Sequence, residues 1–432
     1  MGLELQLEVL EPANGLRKTS CHVERRLKMK VCQVPSGIGP VPPCGADSSA
    51  WETYRLAKAL VQGGISVDVY SVRGGKEAGY RLIEIPLPST ERSSTFGQFA
   101  GQIVFGLSLA LDIGLLNARK YDLVHYHCNA TALPSAMLLR HGGCPYVVTV
   151  GDPFFGATAD PVTVHNLVSL ERSPSLKMHR VGVAKAQQVL LSGASGVVTY
   201  SKTIAKRLAA LYRLDSRKIE TIPPGVDTTV FKPRPKPGFL LARHGIEEST
   251  FVVLVPARIV RLKQQLALMP ILKKLEEQHR AVQFVFMGPI GDSTYHRTIL
   301  DYAGSHCLVS RLTFTGSVSA AVYPYYYNLA DVVILPSMAE GFASSILEGM
   351  SSGKPVIASD IPPNREAIRR GGEVIPVNIN DERRVTEELT GFIEDKRRRQ
   401  KSGEEARASA LEFYDWSVIA RSMSNYYQGI LK

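Results

Sequence analysis

The segment Ile334–Ser359, ILPSMAEGFASSILEGMSSGKPVIAS, gives the clearest indication of the fold of this 432-residue chain. An apolar run ends at Leu335, and a loop leads to a helix predicted from near Ala343 to Gly353, where a glycine ends it. A second apolar run, Pro355–Ser359, follows directly. Near-continuous apolar strands separated by a helix are typical of a parallel sheet that is covered on both faces.

The same alternation extends in both directions from this unit. Upstream strands are predicted at Lys30–Val34, Ile65–Val72, Asp122–Tyr126, Tyr146–Val150 and Gly196–Tyr200. Downstream strands are predicted at Phe251–Val255, Gln283–Met287, Leu312–Thr315, Val332–Leu335, Pro355–Ser359 and Glu373–Val377. Between the two series lies the proline-rich segment Ile222–Phe239, which can continue neither a helix nor a central strand. We therefore expect two doubly wound α/β domains that face each other across a cleft.

The composition excludes several classes of protein. An apolar fraction of 44% and a charged fraction of 21% rule out wholesale disorder and collagen. The six cysteines form no C-x-x-C pair, so neither a zinc ribbon nor a redox motif is indicated, and no metal is expected. The net charge of +11 suits anionic partners, either nucleotides, nucleic acid or an anionic membrane surface. Nucleic acid is not expected, because the basic residues are spread along the chain rather than clustered with aromatic residues.

The most apolar long stretch is Ile103–Leu116, IVFGLSLALDIGLL. It is too short to cross a bilayer and carries Asp112, so a buried core helix is expected, with an interfacial membrane helix as the alternative. No N-terminal region resembles a secretion signal. We expect a cytoplasmic location, and the basic excess also suits peripheral contact with the inner face of the membrane.

Charged residues around the opening stretch indicate an anion site. Glu340 and Glu348 are eight residues apart, which along a helix is about 12 Å, comparable with the distance between the sugar and the ribose of a nucleotide sugar. The helix N-terminus between them offers unpaired N–H groups to a diphosphate. Arg258 and Lys263 follow a predicted strand and could neutralise the same group. Taken alone, these cations are typical of a solvated loop. Their position beside the carboxylate motif favours a ligand-binding role instead.

The segment containing Glu340 and Glu348 resembles the E-x7-E motif of the retaining glycosyltransferases of family 4. The resemblance extends to KIETIPPGVDTTVFKP (218–233), VVTYSKTIAKRL (197–208) and YDLVHYH (121–127). It implies the GT-B fold, an α/β architecture with two Rossmann-like parallel-sheet domains and an interdomain cleft. It also implies an acceptor domain at 29–222, a linker at 223–239 and a nucleotide-sugar domain at 240–414. Residues 1–28 are expected to be an N-terminal extension, and the helix 415–432 to cross back to the first domain.

The resemblance assigns roles to residues of the second domain. Arg258 and Lys263 would hold the diphosphate, Glu340 would lie near the transferred sugar, and Glu348 would bind the ribose hydroxyls. The remaining expected contacts are the backbone of Gly341, Phe342 and Ala343, and the base pocket at Gly316. The implied reaction moves a sugar from a nucleotide-diphosphate sugar to a hydroxyl acceptor, which is a glycan, a lipid-linked glycan or a small molecule. No cofactor beyond this donor substrate is expected.

The first domain matches the family less closely. The loop at 35–45 carries Gly37, Gly39 and Gly45, which permit close approach of the backbone to a ligand. Many family members place a histidine after the strand that corresponds to Tyr146–Val150, whereas this chain has Gly151. Either the role is lost, or Asp152 or His127 takes it over. His127 is also readily explained as a buried structural histidine.

Other functions remain open at this stage. A nucleotide-sugar epimerase or a phosphorylase of the same fold would use a similar cleft. A non-catalytic sugar-nucleotide sensor or scaffold is a third alternative, and Gly151 favours it.

Overall fold

A computed structural model describes residues 29–35, 41, 48–72, 79–85, 95–127, 132–151, 174–278, 280–369, 371 and 374–432. The predicted extension at 1–28 lies outside the described residues, as do Gly37, Gly39 and Gly45. Asp152 also lies outside them.

The first sheet has seven parallel strands in the order β3-β2-β1-β4-β5-β6-β7. They are β1 Lys30–Val34, β2 Ser66–Ser71, β3 Arg81–Glu84, β4 Leu123–His127, β5 Tyr146–Val150, β6 Gly196–Thr199 and β7 Ile219–Thr221. The helices that accompany them in the described residues are α1 Ser48–Gln62, α2 Thr95–Leu109, α3 Leu133–Gly142, α4 Pro174–Gly193 and α5 Lys202–Tyr212.

The second sheet has six parallel strands in the order β10-β9-β8-β11-β12-β13. They are β8 Phe251–Pro256, β9 Val282–Met287, β10 Leu312–Gly316, β11 Val332–Leu335, β12 Val356–Ser359 and β13 Val374–Val377. The described helices of this part are α6 Gly238–His244, α7 Met269–Glu277, α8 Ser293–Ser305, α9 Tyr323–Leu329, α10 Ser344–Ser351, α11 Pro362–Arg365, α12 Glu382–Glu394, α13 Lys396–Ser409 and α14 Trp416–Ile430.

The central strands are buried on both faces, which explains their unbroken apolar runs. All six residues of β8 are buried. Val252 and Leu254 pack into the core on one face of the second sheet, whereas Val253 and Val255 pack into the core on the other face. The prediction of two parallel α/β sheets is therefore confirmed, and most strand bounds agree with the predicted ones to within one residue.

The chain crosses between the two sheets twice, and the two crossings are bound together. The backbone of Val226 pairs with that of Asp415, and Gly225 lies so close to the indole of Trp416 that a Cβ there would be 2.5 Å from the ring. Beyond this point, α14 returns to the first sheet, where Met423 and Tyr427 join its core. The last helix therefore completes the first domain although it is distant in sequence.

The prediction of a buried core helix at Ile103–Leu116 is wrong for one of its two faces, which is exposed. Helix α2 ends at Leu109 and continues as a π-helix, Ala110–Leu116. One face is fully buried through Phe105, Leu109 and Ile113, because it packs against the first sheet and α3. The opposite face leaves five large apolar side chains exposed, namely Ile103, Leu107, Leu111, Leu115 and Leu116.

Candidate functional site

The site begins at the point where the order of the second sheet reverses. Strands β8 and β11 are neighbours, yet their chain continuations turn to opposite sides of the sheet. Ligands of such sheets bind in the crevice beyond the carboxyl ends of these strands. The loop after β8 and the loop after β11 meet here, since the N–H of Met338 donates to the carbonyl of Leu262 at 2.9 Å.

These two loops bring Lys263 and Glu340 into direct contact. The Nζ atom of Lys263 is 2.5 Å from Oε1 of Glu340, and the side chains are 23% and 11% exposed. Arg258 lies on the first of the two loops and is exposed, with its Cδ packed near Gly291. Two of the predicted site cations therefore come from the loop after β8, and one of them already pairs with the predicted carboxylate.

The second carboxylate, Glu348, is buried on α10 with only 7% of its surface exposed. It accepts hydrogen bonds from the hydroxyls of Tyr327 at 2.7 Å and Tyr323 at 3.3 Å. Burial raises the pKa of Glu348, and the charge of Arg55 opposes this rise, as do the tyrosine hydroxyls. Because Arg55 belongs to α1 of the first domain, Glu348 faces the boundary between the two domains.

The backbone between the carboxylates is not a continuous helix. Helix α10 begins at Ser344, and Ala343 before it is extended, with φ −78° and ψ 103°. The estimate of their separation from eight helical residues is therefore wrong, since Glu340 precedes the helix by four positions. Ala343 supplies no side-chain cap to the N–H groups of the first turn. These groups are the ones expected to face a diphosphate.

Gly341 packs directly against the backbone of the first domain. A Cβ added at Gly341 would lie 2.2 Å from the carbonyl oxygen of Gly151, so no larger residue fits in this arrangement. Phe342 turns instead toward the second domain, with its ring 6.0 Å from that of Tyr414. Gly316 ends β10 with a φ of +63°, a conformation that favours glycine.

A carboxylate from the second domain caps a helix of the first. Glu366 accepts hydrogen bonds from the N–H of Lys202 at 2.6 Å and from the N–H of Thr203 at 2.9 Å. It also accepts one from the hydroxyl of Thr203 at 2.7 Å. These donors are the first turn of α5, where a negative charge is favoured by the helix dipole. The contact holds the two domains together beside the approach of Gly341 to Gly151.

His127 ends β4 in the first domain and is 5% exposed. Its ring stacks on that of His125 at 4.5 Å, and burial lowers the pKa of His127 to about 4. Its Nε2 atom has no hydrogen-bond partner among the described residues. The ring lines a small cavity together with Glu52, Tyr200 and Pro223. His127 is therefore neutral at physiological pH and enclosed by the first domain, the linker and α14.

The position of Gly151 has a steric explanation. A Cβ at Gly151 would be 2.3 Å from Cε2 of Tyr200, whose hydroxyl donates a hydrogen bond to Glu52. A histidine at position 151 would therefore displace the Tyr200 ring. The Tyr200 ring therefore occupies the space that a side chain at position 151 would need.

Sequence reasoning missed four residues of this region, namely Arg55, Tyr323, Tyr327 and Glu366. The two tyrosines could have been predicted from the sequence, because their spacing of four in YPYYY places both side chains on one face of a helix. Arg55 and Glu366 had no local signal, because their contacts depend on how the domains dock. Among the described residues, no group of histidine, cysteine or acidic side chains could hold a metal ion, and no helix could cross a membrane.

Comparison with known proteins agrees with this geometry. The family description "Glycosyltransferase Family 4" matches residues 52–230, and "Glycosyl transferases group 1" matches residues 239–409. Together they cover every strand of the two sheets except β1. The chain belongs to glycosyltransferase family 4. Its membership gives the glycosyltransferase activity, while the donor, the acceptor and the stereochemistry are matters of proposal.

Individual relatives of this family 4 chain cover most of its length. It is 25% identical over 401 residues to D-inositol 3-phosphate glycosyltransferase of Mycobacteroides abscessus, covering 89% of this chain and 85% of the relative. A glycosyltransferase structure from Rickettsia africae superposes with a TM-score of 0.70 and 21% identity, covering 94% and 99% of the two chains. HepE of Anabaena in complex with UDP-glucose superposes with a TM-score of 0.69 and 18% identity, covering 93% and 100%. The two superpositions confirm the GT-B fold.

Proposed function

We propose that this protein transfers a sugar from a nucleotide-diphosphate sugar to a hydroxyl acceptor, with retention of configuration at the anomeric carbon. The observation that carries the proposal is the contact between Lys263 and Glu340 at the switch point of the second sheet. It places a cation and a carboxylate where a parallel sheet binds its ligand.

The diphosphate is the part of the donor that develops charge as the sugar leaves. Lys263 and Arg258 neutralise this charge in the proposal, with Lys263 acting as a point charge and Arg258 as a planar fork. The uncapped N-terminus of α10 adds oriented N–H groups. Preorganised donors of this kind stabilise the departing group without having to reorganise during the reaction. Glu340, freed from Lys263 when the phosphate binds, would contact the sugar.

The ribose is assigned to Glu348. Tyr323 and Tyr327 hold its carboxylate in one orientation, which leaves further lone pairs for the ribose hydroxyls. Arg55 favours the ionised form, the form that accepts hydrogen bonds from hydroxyls. The base would lie toward Gly316, and the backbone of Gly341, Phe342 and Ala343 would contact the sugar and phosphates.

A hydrolase of the two-carboxylate type is not supported. Retaining hydrolases place two carboxyl groups about 5 Å apart on either side of one bond. Here Glu340 is paired with Lys263, whereas Glu348 is enclosed by tyrosines on a different element. The two carboxylates have separate surroundings and suit two separate ends of one extended donor.

The glycosyl acceptor is expected to be a glycan, a lipid-linked glycan or a small molecule, and it would enter from the first domain. The relative from Mycobacteroides abscessus is named D-inositol 3-phosphate glycosyltransferase, and inositol 3-phosphate carries both hydroxyl groups and negative charge. The cytoplasmic location predicted from the sequence remains part of the proposal, as does the absence of a cofactor beyond the donor.

A panel of nucleotide sugars tests the proposal. The donor that binds should raise the melting temperature, since a ligand that binds only the native state stabilises it. Incubation with candidate acceptors, followed by proton NMR of the anomeric signal, should then show a product with the configuration of the donor. Binding with no new glycoside on any acceptor would favour the sensor, and an altered sugar on the donor without an acceptor would favour the epimerase. An inverted product would contradict retention.

A further inference from the structure

The exposed apolar residues of the segment 103–116 form a continuous surface on the first domain, which we call the leucine stripe. Its members are Ile103, Leu107, Leu111, Leu115 and Leu116, and their exposed fractions are 48%, 55%, 59%, 62% and 77%. Exposed apolar side chains that occur singly are normal, but a contiguous row marks a binding surface. The stripe is about 20 Å long at the rise of an α-helix.

The π-helix keeps this stripe straight. In an α-helix with 3.6 residues per turn, side chains spaced by four drift steadily around the axis. The π-helix Ala110–Leu116 has wider turns, so the same spacing falls short of one turn and offsets the drift. Asn117 closes the segment, because its N–H donates to the carbonyl of Asp112 at 2.9 Å. Leu111 and Leu115 are thereby kept on the same side as Ile103 and Leu107.

Exposed cations border the stripe and extend beyond it. Arg119 and Lys120 follow its most exposed end. Arg140 lies on α3, which packs against the segment 103–116, and Lys185 lies on α4, which packs against α3. All four are exposed. Met137 on α3 is a further large apolar side chain that is 50% exposed.

The same surface offers almost no negative charge. Within residues 101–120, 133–142 and 184–193, the only acid is Asp112. Its carboxylate is half-buried and accepts a hydrogen bond from the side chain of Asn117. The exposed Asp122 lies two residues beyond Lys120, and its carboxylate accepts a hydrogen bond from the N–H of Lys30. An apolar row with a cationic border is the pattern of an interfacial helix, which buries its apolar face at the level of the lipid headgroups.

We propose that the leucine stripe and its bordering cations dock the first domain on an anionic lipid membrane. Two other occupants fit the charges less well. An isologous dimer would bring two copies of this cationic surface together, and the stretches 101–120, 133–142 and 184–193 offer only the half-buried Asp112 to meet the cations. Residues 1–28 carry four acids and five bases, so their net charge does not complement the surface either. The proposal stands independently of the reaction, since it rests on surface residues outside the crevice.

Flotation of the full chain with lipid vesicles tests this proposal. Vesicles of phosphatidylcholine with added phosphatidylglycerol should retain the protein, and pure phosphatidylcholine should retain much less. Replacing both Arg119 and Lys120 by Gln should weaken binding about 25-fold, at roughly fivefold for each cation near the surface. Raised salt should have a similar effect on the unaltered chain, because the ions screen exposed charges.

Two matched variants separate docking from a general loss of apolar surface. Leu111→Glu with Leu115→Glu should abolish flotation while leaving the melting temperature within a few degrees, because both side chains are already exposed. Val309→Glu, at a position 54% exposed on the second domain, should float like the unaltered chain.

Three outcomes would overturn the proposal. The first is flotation that is equal on both vesicle types and unchanged in the double Leu variant. The second is a dimer in light scattering that the double Leu variant dissociates, which would make the stripe a self-interface. The third is flotation only after removal of residues 1–28, which would make that segment the occupant.

Discussion

The approach of Gly341 to Gly151 gives the sharpest steric test of the closed cleft. In Gly341→Ala the new Cβ would be 2.2 Å from the carbonyl oxygen of Gly151. A comfortable C···O contact is about 3.3 Å, so the two walls must separate by about 1 Å. The hydrogen bonds of Glu366 to the first turn of α5, now 2.6–2.9 Å, would lengthen by a similar amount and leave the hydrogen-bonding range.

A displacement of about 1 Å in an active site can cost about 100-fold in rate. The kcat of Gly341→Ala should therefore be about 100-fold lower than that of the unaltered chain. It is measured as the rate at which the nucleoside diphosphate is released from the preferred donor. The affinity for the nucleoside diphosphate alone, measured by calorimetry, should change little, since its proposed contacts lie in the second domain.

The matched control for this change is Gly304→Ala on α8. A Cβ there meets nothing within 4 Å, and alanine in a helix is favoured over glycine. This variant should keep full activity and melt no lower than the unaltered chain. An unchanged kcat in Gly341→Ala would refute the reasoning, because catalysis would then not need the two glycines in contact.

Three further changes address individual contacts. Glu366→Gln removes a charged acceptor from the first turn of α5. Because hydrogen bonds to charged groups are worth about 1.5–3 kcal/mol, KM for the donor should rise about 10- to 100-fold with normal folding. An unchanged KM would contradict an interdomain role. Burial lowers the pKa of His127 to about 4, so the free energy of unfolding should fall as pH drops from 6.5 toward 4, and His127→Gln should lessen this fall in urea titrations. Burial lowers the pKa of Lys354 to about 8, so stability should rise between about pH 8 and 10.5, and Lys354→Met should abolish that rise; a rise that persists would show that another group causes it.

The sequence predicted the parts of the fold that local patterns determine. Strands such as Val332–Leu335 and Tyr146–Val150 match their predicted bounds, because strands buried on both faces need unbroken apolar runs. The burial of the segment Ile103–Leu116 was predicted wrongly, because that prediction also relied on an unbroken apolar run. An apolar run does not reveal whether a helix is covered on one face or on both, since that depends on which neighbours the chain places around it.

For the candidate site, the sequence identified charged residues but not their partners. Lys263 and Glu340 were each predicted from the loop after a strand, and their contact follows from the adjacency of β8 and β11 in the sheet. The roles given to them stay predictions. Arg55 and Glu366 act across the domain boundary, and no periodicity or motif carries information about how two domains meet.

The central claim is that the crevice beyond β8 and β11 binds the diphosphate of a nucleotide sugar. Calorimetric titration of the donor into Lys263→Ala tests it directly, with Lys401→Ala, whose side chain is 79% exposed on α13, as a control of equal charge. Loss of one charged contact worth about 1.5–3 kcal/mol should weaken binding about 10- to 100-fold in Lys263→Ala and leave Lys401→Ala unaffected. Equal donor affinity in both variants would contradict the account.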